Sequence, residues 1–483
     1  FAKLMDNQSW EEFMPRGVTK QVFARFKRYY DPDIFREAGK RIREMARMAD
    51  KFTIEERIAR LASIFATFRN PDKETVLTPW RVVNMHLGDS LGGYCFMNED
   101  FTSNLDIPRY IEHKGVTTEV FHPQSVILEI NSKSGLYPLY AAYNIYRTRL
   151  EQAREKYGEV NRATALMLWD LTLEENIFVV CKTPMARYIT MRTLRGFRNT
   201  NVHTKYYPNL IESIITEPDS VVNMLRSGKR FWKINNDENM KIDAIIGNPP
   251  YQLTVAKKDT DNGQKAVVNI FQHFQLLADR LAPRFSSLIY PAGRWIHRSG
   301  KGLADFGYNQ INDKRLCRLH FFPDSTDIFQ DVGIADGLSI VFMDYAKKKE
   351  GFVYVYSKGG KTMEIAMPNP GYTLMALDPM AEQISQKIQA VVGERFDYIS
   401  NAVLSQKLFS IESDFVEKNP TLVRSYQEGM MLGEDEIKLF ANDKAGKAGR
   451  TSWYVAHKSV IKTGLDYLHR WKVVVSSANA GGQ

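Results

Sequence analysis

The run Lys241-Ile-Asp-Ala-Ile-Ile-Gly247 ends in a glycine, and Asn248-Pro249-Pro250-Tyr251 follow at once. The run reads as a buried strand. The tetrapeptide therefore stands at a strand's carboxyl end, where sheets built from βαβ units bind their ligands. Its residue types suit a grip on an exocyclic amine of a flat ring. Asn248 offers a side-chain carbonyl that accepts from an NH2 group. Pro249 and Pro250 lack N–H donors and have fixed φ, so the stretch presents carbonyls in a stiff arrangement. Tyr251 adds a flat face with a polar tip. Acceptors for an amine beside an aromatic for its ring suggest chemistry at the amino nitrogen of a base taken out of a duplex. Asn and Pro are also common turn residues, so a plain turn is the other reading of the tetrapeptide.

The stretch Asp243-Ala-Ile-Ile-Gly-Asn-Pro-Pro-Tyr-Gln252 resembles the catalytic motif of adenine-specific DNA N6-methyltransferases of restriction–modification systems. The motif order is similar to the class in which the cofactor motif comes first, the catalytic motif second and the target-recognition region last. The resemblance implies S-adenosyl-L-methionine as cofactor and double-stranded DNA as partner. A nuclease or helicase module, fused or associated, is implied outside this chain. It also implies that Asn248 and the Pro249 carbonyl hold the amine, that Tyr251 stacks on the flipped base, and that Phe329 supports it. Glutamine methyltransferases acting on release factors carry a similar tetrapeptide. An RNA or protein-amide methyltransferase and a catalytically degenerate DNA-binding module therefore stay open.

Ser125-Val-Ile-Leu-Glu-Ile130 reads as a strand, Asn131 to Gly135 as a small polar loop, and Leu136 to about Tyr157 as a helix. Strand, tight loop and helix make the first unit of a doubly wound nucleotide-binding sheet. Laid on the family's pattern, Glu129 takes the acidic position and Gly135 the final glycine, with Asn131 and Ser132 in the loop. Lys133 stands where the first glycine belongs. A second strand is expected at Asn176–Cys181, with a helix opening at Pro184. The acid that takes the cofactor ribose in the family falls at Cys181, and a thiol is a poor acceptor. A small buried hydrophobe is the plainer account of that cysteine. Thr78-Pro79 resembles the motif that packs over the cofactor's methionine end, and is also an ordinary helix start.

Beyond the catalytic motif, Lys257 to Gly263 reads as a polar loop and Asn269 to Leu281 as an amphipathic helix. Strands follow at Phe285–Tyr290 and at 315–322. Gly337 to Met343 is expected as the last strand, pairing antiparallel. The fold expected is α/β, a doubly wound Rossmann-like methyltransferase sheet. An N-terminal helical connector (1–72) precedes the cofactor-dependent domain (73–346). An α+β region (347–483) resembles the start of a target-recognition domain, or is a structural cap. Its Lys444–Arg450 stretch reads as a basic loop.

With 483 residues, two or three domains are expected. A composition of 44% apolar residues excludes a disordered chain. The net charge of +9 fits a nucleic-acid partner. The connector's helices, Phe35–Asp50 and Ile54–Phe65, carry basic faces that read as solvated surface rather than DNA contact. Three scattered cysteines make no disulfide framework, and a reduced, cytoplasmic setting is expected. Nine histidines lack ligand spacing, so no metal is expected. No apolar run approaches the ~20 residues of a membrane helix. The chain opens on Phe1 and closes on Ala-Gly-Gly-Gln, from which a fragment of a longer protein is expected.

Overall fold

The computed structural model describes residues 3–15, 17–68, 77–234, 239–255, 266–298, 302–330, 332–393, 402–404, 408–412, 414–442 and 451–473. The loops expected at 257–263 and 444–450 lie outside them. The chain forms two compact units, Phe1–Gln386 and Lys387–Gln483.

The first unit is built on one large sheet. Its strands are β1 (Ile127–Ile130), β2 (Ile177–Cys181), β3 (His203–Tyr206), β4 (Ala244–Gly247), β5 (Phe285–Pro291), β6 (Leu316–Phe322), β7 (Leu338–Asp344), β8 (Phe352–Lys358) and β9 (Lys361–Met367). Their spatial order is 9-8-6-7-5-4-1-2-3. Strands β1 to β5 pair in parallel. Strand β7 runs antiparallel to both β5 and β6. The sheet was expected to end at β7, but it continues. Strand β8 pairs in parallel with β6, and β9 pairs antiparallel with β8. Phe352 and Tyr354 bury their rings in the core on one face of this extension, which covers the edge that β6 would otherwise expose.

Both faces of the central strands are buried, as βαβ connections require. Ile127, Ile177, Val179, Ala244 and Ile246 enter one apolar cluster. Leu128, Ile130, Phe178, Val180 and Ile245 enter the other. Glu129, two residues after Ile127, shares its face and so stands among carbons. The strand order turns back at the neighbours β1 and β4, and at such a switch point the loops leaving the two strands diverge and open a crevice.

The helices that position the site are α1 (Asn7–Phe13), α2 (Pro32–Ala49), α3 (Ile54–Ala66), α4 (Trp80–Ser90), α5 (Leu136–Tyr157), α6 (Arg162–Glu175), α7 (Pro184–Arg195) and α8 (Phe271–Leu281). Thr53 and Glu56 close a reciprocal capping box on α3. The same helix buries Arg57, which pairs with Asp50 at 2.8 Å and donates to the carbonyls of Arg192 and Thr193 in α7. The N-terminal helices are thereby fastened to the sheet's flank. Among the described residues no helix is long and apolar enough to cross a membrane.

The second unit holds a three-stranded antiparallel sheet, Val423–Ser425, Thr451–His457 and Glu436–Asn442 in that order, over a small core of Ile437, Ala456 and Ile461.

Candidate active site

At the tip of β4 the chain turns at Gly247, whose φ of +149° is one that side-chain-bearing residues avoid. Asn248 comes next. Its amide nitrogen donates to the Thr78 hydroxyl at 3.0 Å. Its carbonyl oxygen, buried, has no hydrogen-bond partner. The Thr78–Asn248 bond thus orients the side chain and leaves its acceptor idle. Tyr251 packs its ring against both apolar clusters, and its buried hydroxyl also lacks a partner. Burial raises this phenol, and the neighbouring Asn248 opposes the rise.

The tip of β1 lies alongside, with Glu129 in register with Ile246. Glu129 is 6% exposed, and its Oε2 has no partner. Burial pushes its carboxyl up to about 8, against a lowering by Ser132. Asn131 adopts a left-handed φ of 70°, and its N–H donates to the Val180 carbonyl at 2.8 Å. Its side-chain oxygen is buried without a partner. Ser132 Oγ accepts from Gly135 N and from the Thr190 hydroxyl, each at 3.2 Å. Gly135, at φ +78°, caps α5, and a Cβ there would stand 3.0 Å from Thr190 Cα. Only glycine fits that close approach without strain. Lys133 is half-buried within the same loop.

The two tips meet around Tyr137. Burial, then Tyr251 and Glu129, push its phenol up. Its hydroxyl shares a 2.7 Å hydrogen bond with His86 Nδ1, and His86 Nε2 shares one of 2.8 Å with Ser287 Oγ. Burial drops His86 to about 3, so the ring is neutral. Nothing in the sequence marked His86, because its partners lie far along the chain.

Cys181 ends β2 fully buried, its Sγ 3.9 Å from the Thr190 hydroxyl. Burial first, then Glu129, raise the thiol well above its ordinary value, so it is a neutral, enclosed group. Pro79 caps α4 with no side-chain bond. Two residues on, Arg81 donates to the carbonyls of Phe101, Asp327 and Ile328 at 2.9, 3.1 and 3.1 Å. This clamp ties the Thr78–Pro79 stretch to the turn bearing Phe329. Phe329 is 4% exposed and sits in the apolar cluster against which Tyr251 packs.

The structure thus joins Glu129, Asn131, Ser132 and Gly135 to Asn248–Tyr251 and Thr78 at one crevice. It sets Phe329 inside the supporting core and closes Cys181 from solvent. Glu129, Asn131 and Asn248 each bury an oxygen without a hydrogen-bond partner, an arrangement that is costly if no donor completes it.

Residues 175–329 match the Eco57I restriction-modification methylase family. The matched stretch runs from β2 through Asn248–Tyr251 to Phe329. The chain is also 30% identical over 182 residues to an uncharacterized adenine-specific methylase of Mycoplasma pneumoniae, covering 35% of this chain and 39% of that protein. It spans about two-fifths of that relative's length. Among solved structures it is similar to the methyltransferase subunit of a type I restriction-modification system from Streptococcus thermophilus. That likeness has 11% identity and a TM-score of 0.35 over 71% of this chain and 58% of the other. The type ISP restriction-modification enzyme LlaBIII bound to DNA gives 13% identity and a TM-score of 0.36, over 63% and 21%.

Proposed function

We propose that this chain transfers a methyl group from S-adenosyl-L-methionine to N6 of an adenine flipped out of double-stranded DNA, as the modification activity of a restriction–modification system in the cytoplasm. The observation that carries the reading is the idle, buried oxygen of Asn248, held in place by Thr78 beside the equally idle Glu129 and Asn131. The donor set fits the cofactor: a carboxylate and an amide oxygen suit its ammonium and hydroxyl groups. When bound, S-adenosyl-L-methionine supplies an electrophilic methyl on a sulfonium. Thr78, Pro79, Glu129, Asn131, Ser132 and Gly135 would hold it, with position 181 at the edge.

Adenine N6 is a weak nucleophile because its lone pair is delocalised into the ring. Asn248 Oδ1 and the Pro249 carbonyl accept from its two N–H bonds and favour a pyramidal nitrogen with the lone pair free. Pro250 keeps the carbonyls from turning away. Tyr251 stacks on the base, and Phe329 backs that wall. Bound there, the cofactor would supply its methyl group to this nitrogen, whose proton would pass to water. No base is needed beforehand, so catalysis is orientation and electrostatics. Extrusion of the base costs a few kcal/mol, offset by stacking and backbone contacts.

We assign target recognition to the Lys387–Gln483 unit. Exposed Phe440 and Trp453 lie 4.8 Å apart, and Lys438 stands 4.5 Å from the Trp453 ring. Aromatics beside cations suit contact with bases and phosphates.

The test is single-molecule sequencing of DNA from a methylation-free host expressing the gene, beside its Asn248→Ala variant. N6-methyladenine at one recurrent sequence, absent in the variant, is the expected result. No modified base with the wild-type gene overturns the reading.

A further inference from the structure

In doubly wound nucleotide-binding sheets a carboxylate at the end of the second strand takes a ribose hydroxyl. Here that position holds the neutral thiol of Cys181. A carboxylate is nevertheless present, and it arrives from 171 residues before Thr183. Glu12, in the last turn of α1, buries its side chain completely against the residues that follow β2. Its Oε2 accepts from the Thr183 hydroxyl. Its Oε1 is buried with no hydrogen-bond partner, and the nearest cation, Lys182 Nζ, stands 3.8 Å off. Ser9, on the same helix, accepts from Met185 N at 3.1 Å. Helix α1 is thus pinned across the tip of β2 and the first turn of α7.

This carboxylate stands close to Cys181, whose thiol its charge reaches. Cys181 touches Thr190, and Thr190 donates to Ser132 in the loop after β1. Glu12 and the Asn131–Gly135 loop therefore flank the same Cys181–Thr190 pair. Capping α7 explains the bond from Thr183 to Oε2. It does not explain a second oxygen kept away from water with no hydrogen-bond donor, faced by Lys182 at 3.8 Å; a ligand donor would complete it.

We infer that Glu12 Oε1 accepts a hydroxyl of the cofactor's ribose, so that the N-terminal helix supplies the carboxylate that β2 lacks. The inference rests on the adenosyl cofactor of the proposed function. It makes α1 part of the cofactor site rather than a linker. The oxygen is covered in this conformation, so α1 must shift from its bonds to Thr183 and Met185 for the ribose to enter.

The experiment is calorimetric titration of the full chain with S-adenosylhomocysteine and with its 2′-deoxy and 3′-deoxy analogues, for wild type and Glu12→Gln. A hydrogen bond to a charged acceptor contributes about tenfold or more in affinity. Wild type should lose about that factor with one of the deoxy ligands. Glu12→Gln should bind the parent ligand more weakly and no longer distinguish the two. Glu12→Asp, which keeps the charge and shortens the reach, should also blunt the discrimination. It supplies the comparison if thermal unfolding shows that the Gln variant does not fold. Discrimination unchanged in a folded variant, or absent in wild type, overturns the role of Glu12 and leaves the cofactor assignment standing. No binding of S-adenosylhomocysteine to wild type overturns both.

Discussion

The two sides of the crevice are built in opposite ways. On the proposed base side, the tip of β4 delivers Asn248, Pro249, Pro250 and Tyr251 from one unbroken tetrapeptide, tied down where Asn248 donates to the Thr78 hydroxyl and the Tyr251 carbonyl accepts from Ile270 N. On the proposed cofactor side, the tips of β1 and β2 depart from a glycine-rich, acid-tipped pattern. Lys133 and Cys181 occupy key places, and the polar groups beside Cys181 come from Thr190 and, far away in sequence, Glu12. Binding a flipped base demands a fixed local shape, which a rigid motif supplies by itself. Binding a flexible cofactor demands only that enough acceptors converge, and these can be recruited from anywhere in the fold.

The comparison breaks first at Asn248. Replacing it by alanine removes the idle acceptor but nothing from the cofactor wall. The methylation rate should fall about 10²–10³-fold, the range seen when one preorganised transition-state partner is lost. The dissociation constant for S-adenosylhomocysteine should stay within about twofold, about 0.4 kcal/mol. Single-turnover methylation and calorimetry measure the two. A matched loss of cofactor affinity would mean that the two sides are one unit.

Glu129 tests the other side through pH. Its carboxyl is pushed up to about 8 by burial, so it is largely neutral at pH 7 in the free chain. A cationic cofactor needs it ionised. Affinity should therefore rise about tenfold per pH unit from 6 towards 8 and level off above, with one proton released on binding. Titrations in buffers of different ionisation heat measure that proton, and Glu129→Gln should abolish both effects. The stability sign is opposite. A raised folded-state value gives stability that is full below the unfolded value near 4 and lost as pH climbs to 8. Ligand-free Glu129→Gln should thus unfold at a higher temperature than wild type at pH 8.5, by the equivalent of a few kcal/mol. A lower unfolding temperature would show that Glu129 is structural.

Much of this was legible along the chain. The Leu136–Tyr157 helix starts and stops where its spacing predicted, because Gly135 and Gly158 bound it. The capping box at Thr53 and the strand before Asn248 were legible for the same reason, since their determinants lie within a few residues. The sheet's far edge was not. Strands β8 and β9 look like the opening of a new region by composition, and only pairing with β6 shows them to be part of the old one. Glu12 was invisible on the same ground: its meaning comes from Thr183 and Cys181, not from its neighbours in α1. Phe329 was read as an aromatic offered to the base, and its depth in the core follows from the Arg81 clamp and the packing of its turn.

Gly135→Ala sharpens the cofactor side by geometry alone. The added methyl meets Thr190 at 3.0 Å on a backbone at φ +78°. A cost of about 1–3 kcal/mol in stability is expected from strain at such a position. Thr190 cannot retreat without disturbing Ser132 and Cys181, so cofactor affinity should fall about tenfold, about 1.4 kcal/mol. Thermal unfolding and calorimetry give both numbers. Unchanged affinity in a destabilised variant would place the loop outside the cofactor wall.

The smallest expected effect decides most about how the cofactor side is read. Cys181→Ser keeps a small group at the tip of β2 and exchanges a weak acceptor for a good one. If the thiol only fills space, the hydroxyl finds Thr190 nearby, and cofactor affinity should stay within about threefold, about 0.7 kcal/mol. Stability should fall by no more than about 1–2 kcal/mol for the added buried polarity. Cys181→Asp, by contrast, should weaken binding. It restores the acid of the strand-borne pattern but sets it against Glu12, whose charge already reaches this thiol, and like charges at a buried site disfavour each other. In a Glu12→Gln background the same aspartate should regain affinity. A gain from Cys181→Asp in the wild-type background would mean instead that the second strand still awaits its own carboxylate, and that α1 is only a cap.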